Sequence, residues 1–184
     1  AAEFCAVLAF AAIRNNDKVG LILFTDQIEL FIPPKKGTRH VLRLIRELLA
    51  FRAANRKTDI PMALDYLGRV IRKKATVFLV SDFPDERFFR PLSLLNKRHD
   101  IVAVPVRDPA EVQMPRAGLI EFADAETGAV RLADTSSSAF RRRFEQSNAA
   151  HFARLQSVLR SAHVDSISIQ TDRPYISDLV GFFH

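Results

Sequence analysis

Residues 75–106 read ATVFLVSDFPDERFFRPLSLLNKRHDIVAVPV, and the fold class turns on them. Residues 75–80 (ATVFLV) and 100–106 (DIVAVPV) are runs of strand length that are apolar at nearly every position. A strand with one wet face alternates, whereas a strand covered on both faces does not, so both runs predict strands inside a covered sheet. Between them, 86–99 contains a helical stretch that ends in Lys97-Arg98-His99. Strand, helix and strand in that order, with doubly apolar strands, predict a parallel sheet. Pro105 brings no N–H to a ladder, which places the end of its strand near a sheet edge.

Upstream, 18–24 (KVGLILF) has the same doubly apolar character. Thr25-Asp26-Gln27 then turns into a second strand, 28–32, read as an antiparallel edge strand that Pro33-Pro34 ends. Residues 1–14 form an apolar helix expected to be largely buried, with Cys5 as a small core residue rather than a nucleophile. A helix over 38–51 puts Val41, Leu42, Leu44, Ile45, Leu48 and Leu49 on one side and the stripe Arg39, Arg43, Arg46 opposite. A further helix, 60–74, is capped by Thr58 or Asp59, tolerates Pro61 in its first turn, and closes on Arg72-Lys73-Lys74. Downstream, 108–116 is a connection. A hairpin (119–122 and 129–132 around 124–128), a helix over 139–162, a strand over 164–170 and a terminal helix starting at Pro174 follow. The elements together predict a Rossmann-like α/β fold, a mostly parallel sheet flanked by helices with one antiparallel edge strand. One domain over 1–184 is expected, with 108–135 inserted as a connection and hairpin.

Composition narrows the function classes. The 184 residues carry 27 Lys+Arg against 21 Asp+Glu, a net charge of +6, and 48% are hydrophobic, which excludes a disordered chain. One cysteine cannot make an intramolecular disulfide, so a reducing, cytoplasmic setting is expected. The longest apolar run, 4–13, is shorter than the roughly 20 residues a bilayer needs, and no membrane segment is expected. The chain opens in a helical pattern without an initiator methionine, so a preceding segment is expected. The positive charge is local. Residues 33–57 hold Lys35, Lys36, Arg39, Arg43, Arg46, Arg52, Arg56 and Lys57 against Glu47 alone. This window is read first as a surface for an acidic partner, with Arg39, Arg43, Arg46, Arg56 and Lys57 as contact residues. Nucleic acid ranks below it, because Phe31 and Phe51 are better placed in a core than for base stacking.

Several chemistries are missing. Six scattered glycines make neither a dinucleotide fingerprint nor a phosphate loop, five separated histidines make no zinc site, and no Gly-x-Ser-x-Gly elbow occurs. Oxygen donors gather at two places instead, Lys57-Thr58-Asp59 and Ser81-Asp82. Asp82 follows a buried strand, and in open parallel sheets ligands bind beyond the carboxyl ends of the strands. The ordinary roles of these residues are a turn start and helix caps.

In this order of elements the two places resemble a von Willebrand factor A-like domain. In that family magnesium is held by Asp-x-Ser-x-Ser after the first strand, a later Thr and an Asp after the fourth strand. Thr58 matches the Thr and Asp82 the last Asp, while Asp59 and Ser81 would support these ligands without touching the ion. Magnesium prefers such hard oxygens. The runs AAEFCAVLAFAAIRNNDKVGLILFTD, TDIPMALDYL, VFLVSDF and TDRPYISDLVGFF narrow the resemblance to the bacterial domain-of-unknown-function family fifty-eight, which often accompanies MoxR-type AAA+ ATPases. The resemblance implies a metal-dependent protein-binding adaptor, partnered by such an ATPase in assembling or maturing complexes, with no catalysis of its own. Two departures stand out. The Asp-x-Ser-x-Ser element and its strand are not in this sequence, and Arg56-Lys57 replaces the usual Gly-Gly, adding charge beside the ion. Without that strand, 18–24 and 75–80 would face an empty slot, which invites a strand-exchanged oligomer. The alternatives are a basic nucleic-acid-binding domain and a magnesium-dependent phosphoryl-transfer enzyme using Asp82 with Asp59 or Asp85.

Overall fold

The computed structural model describes residues 1–55, 57–123 and 130–172, so Arg56, the hairpin turn at 124–128 and the helix expected at Pro174 lie outside the described residues. The chain divides into two units, 1–69 and 70–184, taken in turn below.

In the first unit, α1 (Ala2–Arg14) leads to β1 (Val19–Phe24), β2 (Ile28–Lys35), α2 (Thr38–Ala50) and α3 (Ile60–Val70). Helix α1 is less buried than expected. It is apolar all round and contacts α2, but only Phe4 and Ala9 are buried and Phe10 is exposed. The two strands pair antiparallel, Ile22 opposite Phe31. Pro33-Pro34 does not end β2, which runs on to Lys35. Leu21 pairs with Ile32 and Val19 with Lys35, so both prolines bulge opposite Gly20, where the ladder asks no N–H of them. A Cβ on Gly20 would lie 3.0 Å from the Ile32 carbonyl oxygen and from Pro34, which explains a glycine inside a strand. His40 donates from Nε2 to the Val19 carbonyl at 2.8 Å and ties the start of α2 to β1. Leu23, Ile32, Val41, Leu44, Ile60, Ala63 and Leu64 are buried. Helix α3 stops at Val70, earlier than expected. Arg72-Lys73-Lys74 therefore belongs to the connection that follows, where Lys74 pairs with Asp100 at 3.0 Å.

In the second unit the elements are β3 (Thr76–Ser81), α4 (Phe89–Asn96), β4 (Asp100–Arg107), α5 (Pro109–Val112), β5 (Leu119–Ala123), β6 (Val130–Asp134), α6 (Ser138–Ser161), β7 (Asp165–Ser166) and β8 (Ile169–Gln170). Strand β3 is parallel to β4 from Thr76 opposite Asp100 to Ser81 opposite Pro105, and β7 and β8 are both parallel to β4 on its other side. The α/β class with a mostly parallel sheet is therefore as expected. Strand β4 is central, buried from Ile101 to Pro105, which corrects the placing of Pro105 near an edge. The Ala103 carbonyl accepts from the Ile167 N–H at 2.9 Å and the Arg107 carbonyl from the Thr171 N–H at 3.1 Å. Residue 105 faces the same side by alternation, between the last residue of β7 and the first of β8. The missing N–H thus falls in a break, and the strand expected over 164–170 is two short ones for the same reason.

Helix α4 is shorter than the stretch predicted for it. Asn96 ends it by accepting the Ile101 N–H on Oδ1 at 3.1 Å and donating from Nδ2 to the His163 carbonyl at 2.7 Å. Leu92 and Leu95 of α4 and Leu155 and Leu159 of α6 are buried along with the β4 core. Strands β5 and β6 pair antiparallel with Glu121 opposite Leu132. The hairpin is anchored by Thr135, fully buried, whose Oγ1 donates to the Gly118 carbonyl at 2.6 Å and accepts the Ala117 N–H at 2.9 Å. Among the described residues no helix is long and apolar enough to cross a membrane.

Candidate functional site

Asp82 is exposed and follows β3 at the carboxyl end of the parallel strands. Its loop is held from several sides. Ser81 Oγ donates to Asp82 Oδ1 at 3.1 Å and accepts the Phe83 N–H at 3.2 Å. Phe83 has a φ of 53°, a left-handed conformation that costs a non-glycine residue about 1–2 kcal/mol. It is kept there by full burial, by an edge-on ring contact with Phe88 at 5.1 Å, and by His151 Nε2, which donates to its carbonyl at 3.1 Å. Next along, Arg87 holds Asp85 with N–H and guanidinium bonds of 2.8, 2.8 and 2.6 Å, and these hydrogen bonds hold the Asp85 carboxyl below its ordinary range. Asp85 is thus occupied by its own loop, while the Asp82 carboxylate faces solvent with a hydroxyl donor beside it.

Thr58 is half-buried in the loop before α3. Asp59 caps that helix, its Oδ1 accepting the Met62 N–H at 2.9 Å, and its own N–H donates to the Thr25 carbonyl at 2.9 Å. The turn between β1 and β2 organises this loop further. Asn55 Nδ2 donates to Asp26 Oδ1 at 2.7 Å, the Ala54 N–H donates to Glu29 at 3.3 Å, and buried Thr25 donates from Oγ1 to the same Glu29 carboxylate at 2.7 Å. Asp59 is therefore a cap, the role its position predicts, and Glu29 and Asn55 are supports that sequence reading missed. Glu29 carries a faint signal as an acid inside a strand of otherwise apolar residues.

Arg39, Arg43 and Arg46 are exposed on α2 as one stripe, and Lys57 is exposed beyond it. Arg46 makes an exposed pair with Glu47 at 3.2 Å, and among the described residues neither Arg39 nor Arg43 forms an ion pair. Cys5 is partly covered, and burial pushes its thiol above the ordinary range, away from nucleophilic use.

Within the second unit the donors at hand, the solvent-facing Asp82 carboxylate and the Ser81 hydroxyl beside it, suit a hard cation in kind. They fall short in number, since among the described residues no three His, Cys, Asp or Glu side chains gather as a metal set.

Comparison with known proteins agrees with the resemblance to the domain-of-unknown-function family fifty-eight. The family described as Protein of unknown function DUF58 matches residues 1–154. Uncharacterized proteins of Mycobacterium bovis and Mycobacterium tuberculosis are each 28% identical to it over 180 residues, 96% of this chain and 56% of theirs. An uncharacterized protein of Mycobacterium avium is 31% identical over 154 residues, 82% of this chain and 90% of that protein. The chain thus spans just over half the length of the first two relatives. No solved structure matches it. With its match running from the first residue through most of α6, the chain belongs to the DUF58 family.

Proposed function

We propose that this chain is a cytoplasmic, magnesium-dependent protein-binding module, an adaptor that works with a MoxR-type AAA+ ATPase in assembling or maturing other complexes. The observation that carries this reading is the Asp82 loop. A solvent-facing carboxylate at the carboxyl end of a parallel sheet is held on a left-handed, fully buried Phe83, and strain of this kind is retained where a loop must present a group in one position. Membership of the DUF58 family supports the von Willebrand A-like part of the reading by resemblance. Asp82 would ligate the ion, Ser81 would hold its loop, and the ion would supply a Lewis-acidic position for a partner's carboxylate, while Thr58 as a ligand and Asp59 as its support rest on the resemblance alone. The remaining positions of an octahedral shell would fall to water and to ligands outside these residues. The reading assigns no catalysis to the chain.

The test is thermal unfolding of the whole protein during magnesium titration. Binding to the folded state alone stabilises by about 2.7 kcal/mol when the free ion is at one hundred times its Kd, so Tm should rise with magnesium. Asp82→Ala should abolish that rise, and an equal rise in the variant would overturn the assignment.

A further inference from the structure

Helix α2 carries more exposed apolar surface than an inward-facing amphipathic helix needs. Val41 and Leu44 are buried in the first unit, yet Leu42 is 49% and Leu49 67% exposed. These two leucines are seven residues apart, and half-buried Ile45 lies between them. The spacing of 42, 45 and 49 is the three-then-four step of a heptad seam, offset from the face that α2 buries. Arg39 and Arg46, also seven apart, follow Ile45-type positions by one residue and so line the solvent side of that seam, with Arg43 beyond them. Flanking charges at such positions select a partner of opposite sign.

We propose that this face of α2 docks an acidic amphipathic helix of a partner protein, whose apolar seam packs on Leu42, Ile45 and Leu49 and whose flanking carboxylates meet Arg39 and Arg46. The reading rests on the chain being a protein-binding module, but not on the metal. Charge decides the occupant. The window 33–57 sets eight bases against one acid, and the first turn of α2 contains no carboxylate. Arginine suits carboxylate partners because its planar guanidinium binds them through two N–H groups at once. A second copy of α2 would bring the same arginines against each other. A lipid surface would need a broad free apolar face, and with Val41 and Leu44 buried α2 offers only the narrow seam of Leu42, Ile45 and Leu49. Phosphate binding would account for the arginines and leave the leucine seam unexplained.

The probe is a designed helical peptide of a few heptads with Leu at the seam and Glu at the flanks, followed by fluorescence anisotropy against the chain in EDTA. A peptide with Lys flanks, phosphatidylserine vesicles and a single-stranded oligonucleotide serve as competitors. The Glu peptide should bind and the Lys peptide should not. Leu49→Ser, at an exposed position and with its fold checked by circular dichroism, should weaken binding roughly tenfold, as loss of an interface anchor does. Arg39→Glu with Arg46→Glu should reverse the preference toward the Lys peptide. An unchanged affinity in Leu49→Ser, no reversal in the charge variant, or preferential capture of the vesicles or the oligonucleotide would each overturn the proposal. Because the assay contains no free metal, its failure leaves the magnesium titration standing, and the reverse holds too.

Discussion

At the scale of single residues, His99 couples folding to pH, although it is among the least exposed to solvent. It is 1% accessible, and neither ring nitrogen has a hydrogen-bond partner. Burial pushes its pKa down, the neighbouring Arg98 pushes it further the same way, and Asp100 opposes them. The folded state therefore prefers the neutral ring. Its contribution is complete above the unfolded value of about 6.5 and is lost as pH falls below it, because the unfolded chain then takes up the proton first. Chemical denaturation at a series of pH values should show stability declining from about pH 6.5 downward, and His99→Leu should flatten that decline. Of the candidate site, Ser81-Asp82 and Thr58-Asp59 were legible at this scale because oxygen-bearing residues at the ends of apolar elements are conspicuous. Their supports were not. His151 is 68 residues from the carbonyl it holds, and Asn55 is 29 from Asp26, separations at which spacing carries no signal.

At the scale of elements, every strand and helix read from apolar runs within the described residues has a counterpart, and the differences lie at the ends, except that the strand read over 164–170 is broken into β7 and β8 and the short helix α5 lies inside what was read as a connection. The reading stopped β2 at Pro33 and carried α3 through Lys74, and in both cases tertiary context decided otherwise. A bulge opposite Gly20 lets prolines stay in a strand, and an ion pair with Asp100 engages the last lysine of a triplet that suited a helix end. The hairpin shows how much one side chain can hold. Thr135 bonds both Ala117 and Gly118 from a site that solvent does not reach. Thr135→Val keeps the shape and leaves that N–H without its hydroxyl partner, so it should cost about 1–3 kcal/mol in urea unfolding, whereas a surface change such as Ser136→Ala should stay within about 0.5 kcal/mol.

At the scale of the whole molecule, charge and strand edges both bear on association. Positive charge sits in one window while the remainder is close to neutral, so the net value describes a surface rather than a basic protein. Among the described residues β1 pairs only with β2, and β3 only with β4, which leaves each with an unpaired edge. Such edges template pairing with another chain. Sedimentation velocity on this chain should show self-association that grows with concentration and is unaffected by Arg39→Glu with Arg46→Glu. A monomer at every concentration would mean that the edges are blunted by other means. The strand order itself was only partly legible, since nothing in an apolar run states which neighbour it will take.

Helix α6 connects three of these features along one rod. Twenty-four residues give it a length of about 36 Å. Near its start Arg141 holds the Thr135 carbonyl and Glu145 the Met114 N–H, in its middle His151 holds Phe83 and Arg154 reaches Glu86, and near its end Leu155 and Leu159 enter the core. Each added residue turns everything beyond it by about 100°, so the two sets of contacts are locked in rotational phase. One alanine inserted between Glu145 and His151 should throw either the hairpin or the Asp82 loop out of alignment, lowering Tm far more than an alanine substitution at the same place. An insertion of about seven residues, nearly two full turns, would restore the phase but displace the ends by about 10 Å. The spacing along α6 behaves as a vernier, in which length and angle must agree together and neither can drift alone.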